Sequence, residues 1–381
     1  MSSGLKMFTS HKIGYLKIKN RIVRSATYMG TADREGNVTE NTITLYEELA
    51  KNEVGLIISG YMYVNKKGKA APNQLGIYDD KVIPSLKRLI SKIHDHEAIL
   101  FAQIAHGGRQ IIGSPQKKLD IIAPSPIPDK LLKVKPREMT KDDIKNVIQD
   151  FISATTRIYQ AGLDGVQLHC AHGYLLSLFI SPYCNKRSDA YGGNLENRFR
   201  ILEEIVTGIQ DEIGKEFPIT VKINVADFVK EDPQLTIDES KILAKKLANL
   251  GVAAIEPSAG LYETAMNGNL TAMRTKIRTE SDEAYFLPEA KIIKKEIGNV
   301  PVILVGGIRS KGVAERILNN GIDFISLSRP LIREPDLITK WKNGTSTKAD
   351  CISCARCLLS ASPKGVQCIP LKKILLKQKS N

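Results

Sequence analysis

No stretch of this 381-residue chain reaches the roughly 18 consecutive apolar residues that a membrane span requires, and Met1–Phe8 lacks the apolar core of a secretory signal. The expectation is a cytoplasmic protein with no membrane partner. Cysteine is scarce: six residues in a chain this long are too few for a disulfide framework. Tryptophan occurs once, at Trp341, and only 6% of residues are aromatic. That leaves little to stack on bases and argues against a nucleic-acid-binding protein, although Lys and Arg outnumber Asp and Glu by 55 to 41. The formal charge of +14 favours anionic partners such as phosphates, or serves plain solubility. With 42% hydrophobic and 25% charged residues, disordered and low-complexity classes are excluded.

What the chain does have is alternation. Short β-branched runs at Ile22–Ala26, Gly55–Gly60, Ile99–Ile104, Gly165–His169, Ile219–Asn224, Ala253–Pro257, Val302–Gly306 and Phe324–Ser328 are nearly all apolar. Strands buried on both faces of a parallel sheet read this way. Amphipathic stretches lie between them, among them Asp142–Ala161, Leu195–Gly214, Thr236–Leu250 and Lys311–Asn320. Thr236 with Glu239 is spaced as a capping box, and Ser310 is placed to cap the segment that begins at Lys311. Eight strand–helix pairs over about 320 residues predict an α/β protein, a (β/α)₈ TIM barrel over residues 1–345, with a short cysteine-rich extension over 346–381. Two connections, Gly107–Thr140 and Ser258–Leu287, follow strand carboxyl ends and are long enough to cover a substrate or to be mere surface loops. The lysine-rich tail Leu371–Asn381 is expected to fray or dock weakly.

Reading only the predicted carboxyl ends collects polar groups at one mouth: Ser25, Ala26, Thr27, Ser59, Gly60, Gln103, His106, His169, His172, Tyr174, Lys222, Gly306, Gly307, Ser328 and Arg329. Three of the six histidines fall on two of these ends. Val305-Gly-Gly-Ile308 runs into a helix start, and Arg329 stands on the next strand end. Backbone N–H groups at a helix N-terminus beside a cation suit a phosphate.

The run from Leu168 to Arg198, which opens Leu-His-Cys-Ala-His-Gly-Tyr, closely resembles the corresponding stretch of the old yellow enzyme family of FMN-dependent ene reductases. Gln103–Arg109, Asn20–Ser25 and Val305–Ile308 resemble that family in the same order, so the likeness extends over roughly residues 5–345. The resemblance implies an oxidoreductase barrel that holds FMN, is reduced by NAD(P)H and reduces activated C=C bonds of enones, enals or enoyl thioesters. It implies that Ala26, Thr27 and Gly60 meet the flavin ring, Gln103 its pyrimidine edge, Lys222 the N1 and C2 carbonyl region, and Gly307 and Arg329 the phosphate, with Ser25, Gly306 and Ser328 also binding the cofactor. His169 and His172 would bind the substrate oxygen, and Tyr174 would donate a proton. An amine dehydrogenase of the trimethylamine dehydrogenase type is the enzyme alternative; a zinc-containing nucleic-acid-binding protein is the non-enzyme one.

Two positions depart from the pattern. Lys222 stands where many relatives carry Arg, keeping the charge without the planar fork. Tyr28 falls where relatives often place Thr or Cys near the flavin C4 carbonyl. Past the barrel, Cys351, Cys354, Cys357 and Cys368 have the spacing of an iron–sulfur or zinc ligand set. Position and near spacing match the [4Fe–4S] site of larger members resembling 2,4-dienoyl-CoA reductase and trimethylamine dehydrogenase; an iron–sulfur cluster, a zinc ion and plain thiols stay open. Those members pass electrons from a further nucleotide-binding domain for which the 381 residues leave no room, so an electron-donor protein is a candidate partner beside the nicotinamide nucleotide. Cys170 and Cys184 read as packed thiols. The sequence leaves a homo-oligomer open.

Overall fold

The computed structural model describes residues 4–112, 120–266, 273–275, 277–360 and 365–379, so parts of both long connections and of the tail lie outside the described residues. All eight expected strands form: β1 (Ile22–Arg24), β2 (Leu56–Ile58), β3 (Ile99–Ala105), β4 (Gly165–Cys170), β5 (Ile219–Asn224), β6 (Ala254–Ser258), β7 (Ile303–Val305) and β8 (Phe324–Leu327). They pair in parallel in the order β6-β5-β4-β3-β2-β1-β8-β7. A parallel bridge between Ile255 and Val302 joins the two ends and closes the TIM barrel. The helices that follow the strands are α1 (Glu40–Lys51), α2 (Ile83–His94), α3 (Lys141–Gln160), α4 (Leu195–Ile213), α5 (Ile237–Asn249), α6 (Leu287–Ile297), α7 (Lys311–Asn319) and α8 (Leu337–Asn343). None of the described helices is long and apolar enough to cross a membrane.

Local chemistry sets several helix starts. Thr140 and Asp143 form a reciprocal capping box on α3, and Asn194 accepts from the Asn197 N–H at 2.9 Å to open α4. The two caps read from the sequence do not form. Thr236 makes no side-chain cap on α5, because Glu239 turns away to pair with buried Arg198 on α4. Ser310 does not cap α7 either; its hydroxyl donates to Glu283 Oε1 at 2.6 Å. In both places a tertiary carboxylate contact outcompetes the local one.

The barrel interior is layered. At the N-terminal end an antiparallel hairpin, His11–Ile13 with Leu16–Ile18, carries Ile13 and Ile18 into one cluster with Val23, Phe101, Ala254 and Phe324. Phe101 fills this floor so tightly that a Cβ at Gly165 would come 2.6 Å from its ring. Two residues further along the same strands the side chains turn polar: Ser25 after Val23, Gln103 after Phe101, Glu256 after Ala254, Ser326 after Phe324. Alternate residues of a strand face the same side, so apolar floor and polar second layer follow directly from the period of two.

The extension packs on the mouth. Ala349 N–H donates to Arg309 O and Val366 N–H to Met29 O, both at 2.8 Å. The tail segment, expected to fray, forms the helix Ile369–Lys379, with Ile374, Leu375 and Leu376 exposed. Phe101→Ala is expected to lower folding stability by about 3–5 kcal/mol through the cavity it opens in the sealed floor. Urea unfolding with saturating cofactor measures this; an unchanged midpoint would show that the floor does not support the barrel.

Candidate active site

The second layer is one hydrogen-bonded unit. Gln103 Nε2 donates to Gln167 Oε1 at 2.7 Å, and Gln167 Nε2 donates to Glu256 Oε2 at 2.9 Å. The other carboxylate oxygen of Glu256 accepts from Ser25 at 2.7 Å and Ser326 at 3.2 Å, and faces Lys222 Nζ at 3.1 Å. Lys222 also donates to Ser25 Oγ at 2.9 Å. Every member is buried, so an unmade bond here would carry its full desolvation cost. Gln167, Glu256 and Ser326 went unnoticed in the sequence; each is a polar residue inside a strand that is otherwise apolar.

Above this layer opens a cavity of about 270 Å³. Ser25, Ala26, Thr27, His172, Lys222, Gly307, Ser328 and Arg329, all expected at the site, line it together with Tyr28, Ser258 and Tyr285. Gly60, Gln103, Gly306, His169 and Tyr174 do not line it. Gly60 lies against the Thr27 carbonyl, which a Cβ there would approach to 2.8 Å, Gln103 is turned to Gln167, and the Gly306 carbonyl accepts from Tyr285 N–H. His106 is buried with Nδ1 accepting from Gly108 N–H at 3.0 Å, which assigns it to loop structure.

The two histidines and the tyrosine do come together. His169 and His172 meet edge to face at 5.1 Å between ring centroids, and His169 lies 4.7 Å from the Tyr174 ring. Tyr61 packs 5.1 Å from Tyr174 and Tyr28 lies 5.9 Å from Tyr61, giving the mouth an aromatic wall that the sequence reading missed. His172 Nε2 is 2.6 Å from Ser258 Oγ, and its backbone is held at φ 64°, left-handed for a residue with a side chain. Such strain persists only where surroundings over-determine it. His169 Nδ1 is buried without a hydrogen-bond partner, a donor or acceptor in waiting.

Burial governs the charge of these groups. It lowers the His172 pKa to about 3, with Lys222 adding in the same direction. His169 is driven well below its ordinary value by burial, then by His172 and Lys222. Both rings are neutral at physiological pH and each carries one N–H. The Tyr174 phenol is pushed up to about 12 by burial, so it keeps its proton.

The phosphate side differs from the expectation in one respect. The N–H groups of Arg309 and Ser310 at the start of α7 are taken by Glu283 Oε2, at 2.7 and 2.9 Å, so that helix end faces a carboxylate of the chain itself. Gly307 remains on the cavity wall at φ 75°, with room for no Cβ because Tyr285 would stand 2.8 Å from it. Arg329 donates to the carbonyls of Arg274 and Ser353 at 2.9 and 3.1 Å, which aims its guanidinium across the cavity rim. A flavin phosphate fits these residues: a glycine wall, an oriented guanidinium, and a lysine at the far end.

Cys351, Cys354, Cys357 and Cys368 line a second, small cavity with Arg329 and Arg333. Among the described residues no group of three or more His, Cys, Asp or Glu side chains stands close enough to hold a metal ion. Neither the [4Fe–4S] nor the zinc alternative gains support from side-chain convergence among the described residues. Cys170 and Cys184 are buried, and burial pushes the thiol of Cys170 well above its ordinary range and that of Cys184 up to about 12, as packed thiols should be.

Residues 6–348 match the NADH:flavin oxidoreductase / NADH oxidase family. The chain is 37% identical over 351 residues to an NADH oxidase of Thermoanaerobacter brockii, a match covering 91% of this chain and 52% of that protein. Among solved structures, the 2-naphthoyl-CoA reductase complex with 2-naphthoyl-CoA superposes with a TM-score of 0.82 and 28% identity, over 92% of this chain and 54% of the other. The old yellow enzyme homologue of Zymomonas mobilis gives 0.75 and 27%, over 92% and 96%. The chain thus spans about half the length of the first two relatives.

The depressed histidine at position 172 has a measurable consequence. Between about pH 6.5, where an unfolded histidine titrates, and the folded value of about 3, only the unfolded chain binds this proton. Stability therefore falls with falling pH in that window, by up to about 1.4 kcal/mol per pH unit for this one group. Asp227, raised by burial to about 6, acts in the opposite sense. His172→Gln is expected to flatten the decline between pH 6.5 and 4.5 in urea melts; parallel curves for variant and parent would contradict the assignment.

Proposed function

The chain belongs to the NADH:flavin oxidoreductase / NADH oxidase family, in which the old yellow enzymes fall, and on that premise we propose that it reduces activated C=C bonds at the expense of NAD(P)H. The observation that carries the reading is the pair of neutral, buried imidazoles in edge-to-face contact, His172 on the cavity wall with Lys222 and His169 against it beside a protonated phenol. FMN, when bound, would supply the redox chemistry, the exchange of a hydride between nicotinamide and alkene. Lys222 and Ser25 would hold its ring edge and Gly307 with Arg329 its phosphate, while Ala26, Thr27 and Ser328 shape the surrounding wall.

In the tautomer whose Nε2 accepts from Ser258, His172 keeps its Nδ1–H for a substrate carbonyl oxygen, and His169 has one N–H to offer beside it. Their donors meet an oxygen that gains negative charge as the β-carbon accepts hydride, so they bind the transition state more tightly than the ground state. Keeping the rings neutral matters: a fixed N–H stabilises the developing charge without surrendering a proton to it. Tyr174, placed against His169, would protonate the α-carbon, which a phenol that stays protonated can do across the working pH range. Tyr28, Tyr61 and Tyr174 offer flat apolar surface for a conjugated acceptor. The excess of positive charge and the likeness to a naphthoyl-CoA reductase favour an acyl thioester carrying phosphates over a small enone.

Purified protein is expected to be yellow, to release FMN on denaturation, and to bleach with NAD(P)H. His172→Ala should lower the rate of enone or enoyl-thioester reduction about 10²–10³-fold, the cost of losing one such donor, with NAD(P)H-driven bleaching retained. Tyr174→Phe should slow alkene turnover while leaving bleaching intact. Turnover of amines instead of alkenes would shift the reading to the dehydrogenase alternative, and a colourless protein that takes up no FMN would end it.

A second proposal concerns the extension. We read Cys351, Cys354, Cys357 and Cys368 as ligands of an iron–sulfur cluster, supported by their spacing and by their lining one small cavity beside Arg329 and Arg333. Anaerobically prepared protein should then contain iron and acid-labile sulfide, both lost in Cys351→Ser. Absence of both from freshly prepared parent protein would dismiss it.

A further inference from the structure

We propose that Glu256 is a positioning residue that fixes the Lys222 ammonium and offsets the positive field this group presents to the cofactor cavity. The inference rests on the FMN reading above. Glu256 sits on β6 with its side chain wholly inaccessible, below the cavity rather than in its wall. Four groups surround its two carboxylate oxygens: Ser25, Ser326, Lys222 and Gln167, at 2.7, 3.2, 3.1 and 2.9 Å. A carboxylate accepts on every side and donates on none, which is the one chemistry that satisfies all four at once.

Lys222 is the only member of this set with a formal positive charge, and it reaches the cavity itself. Its ammonium is held from below by Glu256 and from the side by Ser25, whose hydroxyl accepts from Lys222 and donates to Glu256. The cavity therefore meets not an isolated cation but the positive end of an ion pair, whose field falls off faster with distance. FMN gains negative charge on reduction, so a weaker positive field at the ring edge makes reduced cofactor a stronger hydride donor. An unbalanced lysine would do the reverse.

The deciding measurement is the midpoint potential of bound FMN, obtained by reduction in equilibrium with a reference dye. A role confined to folding would change stability and leave that potential where it was. Glu256→Gln, which keeps the shape and removes the charge, is expected to shift the potential to more positive values; Glu256→Asp, which keeps the charge, should stay near the parent. Lys222→Gln should shift it to more negative values. Should Glu256→Gln fail to fold, the double variant Lys222→Gln/Glu256→Gln buries no charge and replaces it: its potential should lie positive of Lys222→Gln alone. An unchanged potential in Glu256→Gln, or equal potentials for Lys222→Gln and the double variant, overturns the inference while FMN content by absorbance keeps the proposed function standing. A parent protein that takes no FMN overturns both.

Discussion

The contact on which the rest of this structure depends is a buried ion pair, Lys222 with Glu256, in the middle of a barrel that would otherwise be filled with branched apolar side chains. Taking two charges out of water is costly, and their attraction repays it only with good geometry and with every remaining bond made. Here the repayment comes from four other strands and strand ends, through Ser25, Gln103, Gln167 and Ser326. Once that layer is complete, a positive group reaches the mouth at a fixed height. The apolar floor beneath and the aromatic wall above can then each pack without having to solvate anything.

Rigid placement distinguishes the two imidazoles. His169 is on β4, in register with Lys222 on β5, so its position follows from backbone pairing. His172 comes three residues later, past the strand, and needs more help: its N–H donates to Asn224, its ring meets Ser258, and its backbone adopts a conformation that costs energy. Asn224 and Ser258 are themselves register partners on β5 and β6. The loop residue is thereby anchored to the same sheet as its strand-borne neighbour, which is how a site keeps tolerances below an ångström.

Strand positions were legible because parallel strands buried on both faces leave nearly unbroken apolar runs, and the mouth was legible because those runs fix where carboxyl ends fall. Ser25, His169, His172, Tyr174, Lys222 and Arg329 all emerged that way. Features that depend on distant partners did not. Thr236 and Glu239 have the right spacing for a cap, yet nothing local reveals that Arg198, some forty positions earlier, claims the carboxylate. Glu283 takes the N–H groups of Arg309 and Ser310 across a long connection, so a helix start that looked open to phosphate is in part already filled. Glu256 and Gln167 did carry a signal, since a charged or amide side chain in a fully buried strand must have a partner; naming that partner required the register. Cysteine spacing likewise gave proximity but not convergence.

Among the described residues the hairpin seals the floor, and the cavity is lined from the carboxyl end. A nicotinamide donor and an acceptor that both use this cavity would then share one doorway and take turns in front of His172. A tight acceptor is at once a substrate and an obstacle to the next reduction, so high concentrations of either reactant should slow turnover by occupying the place the other needs.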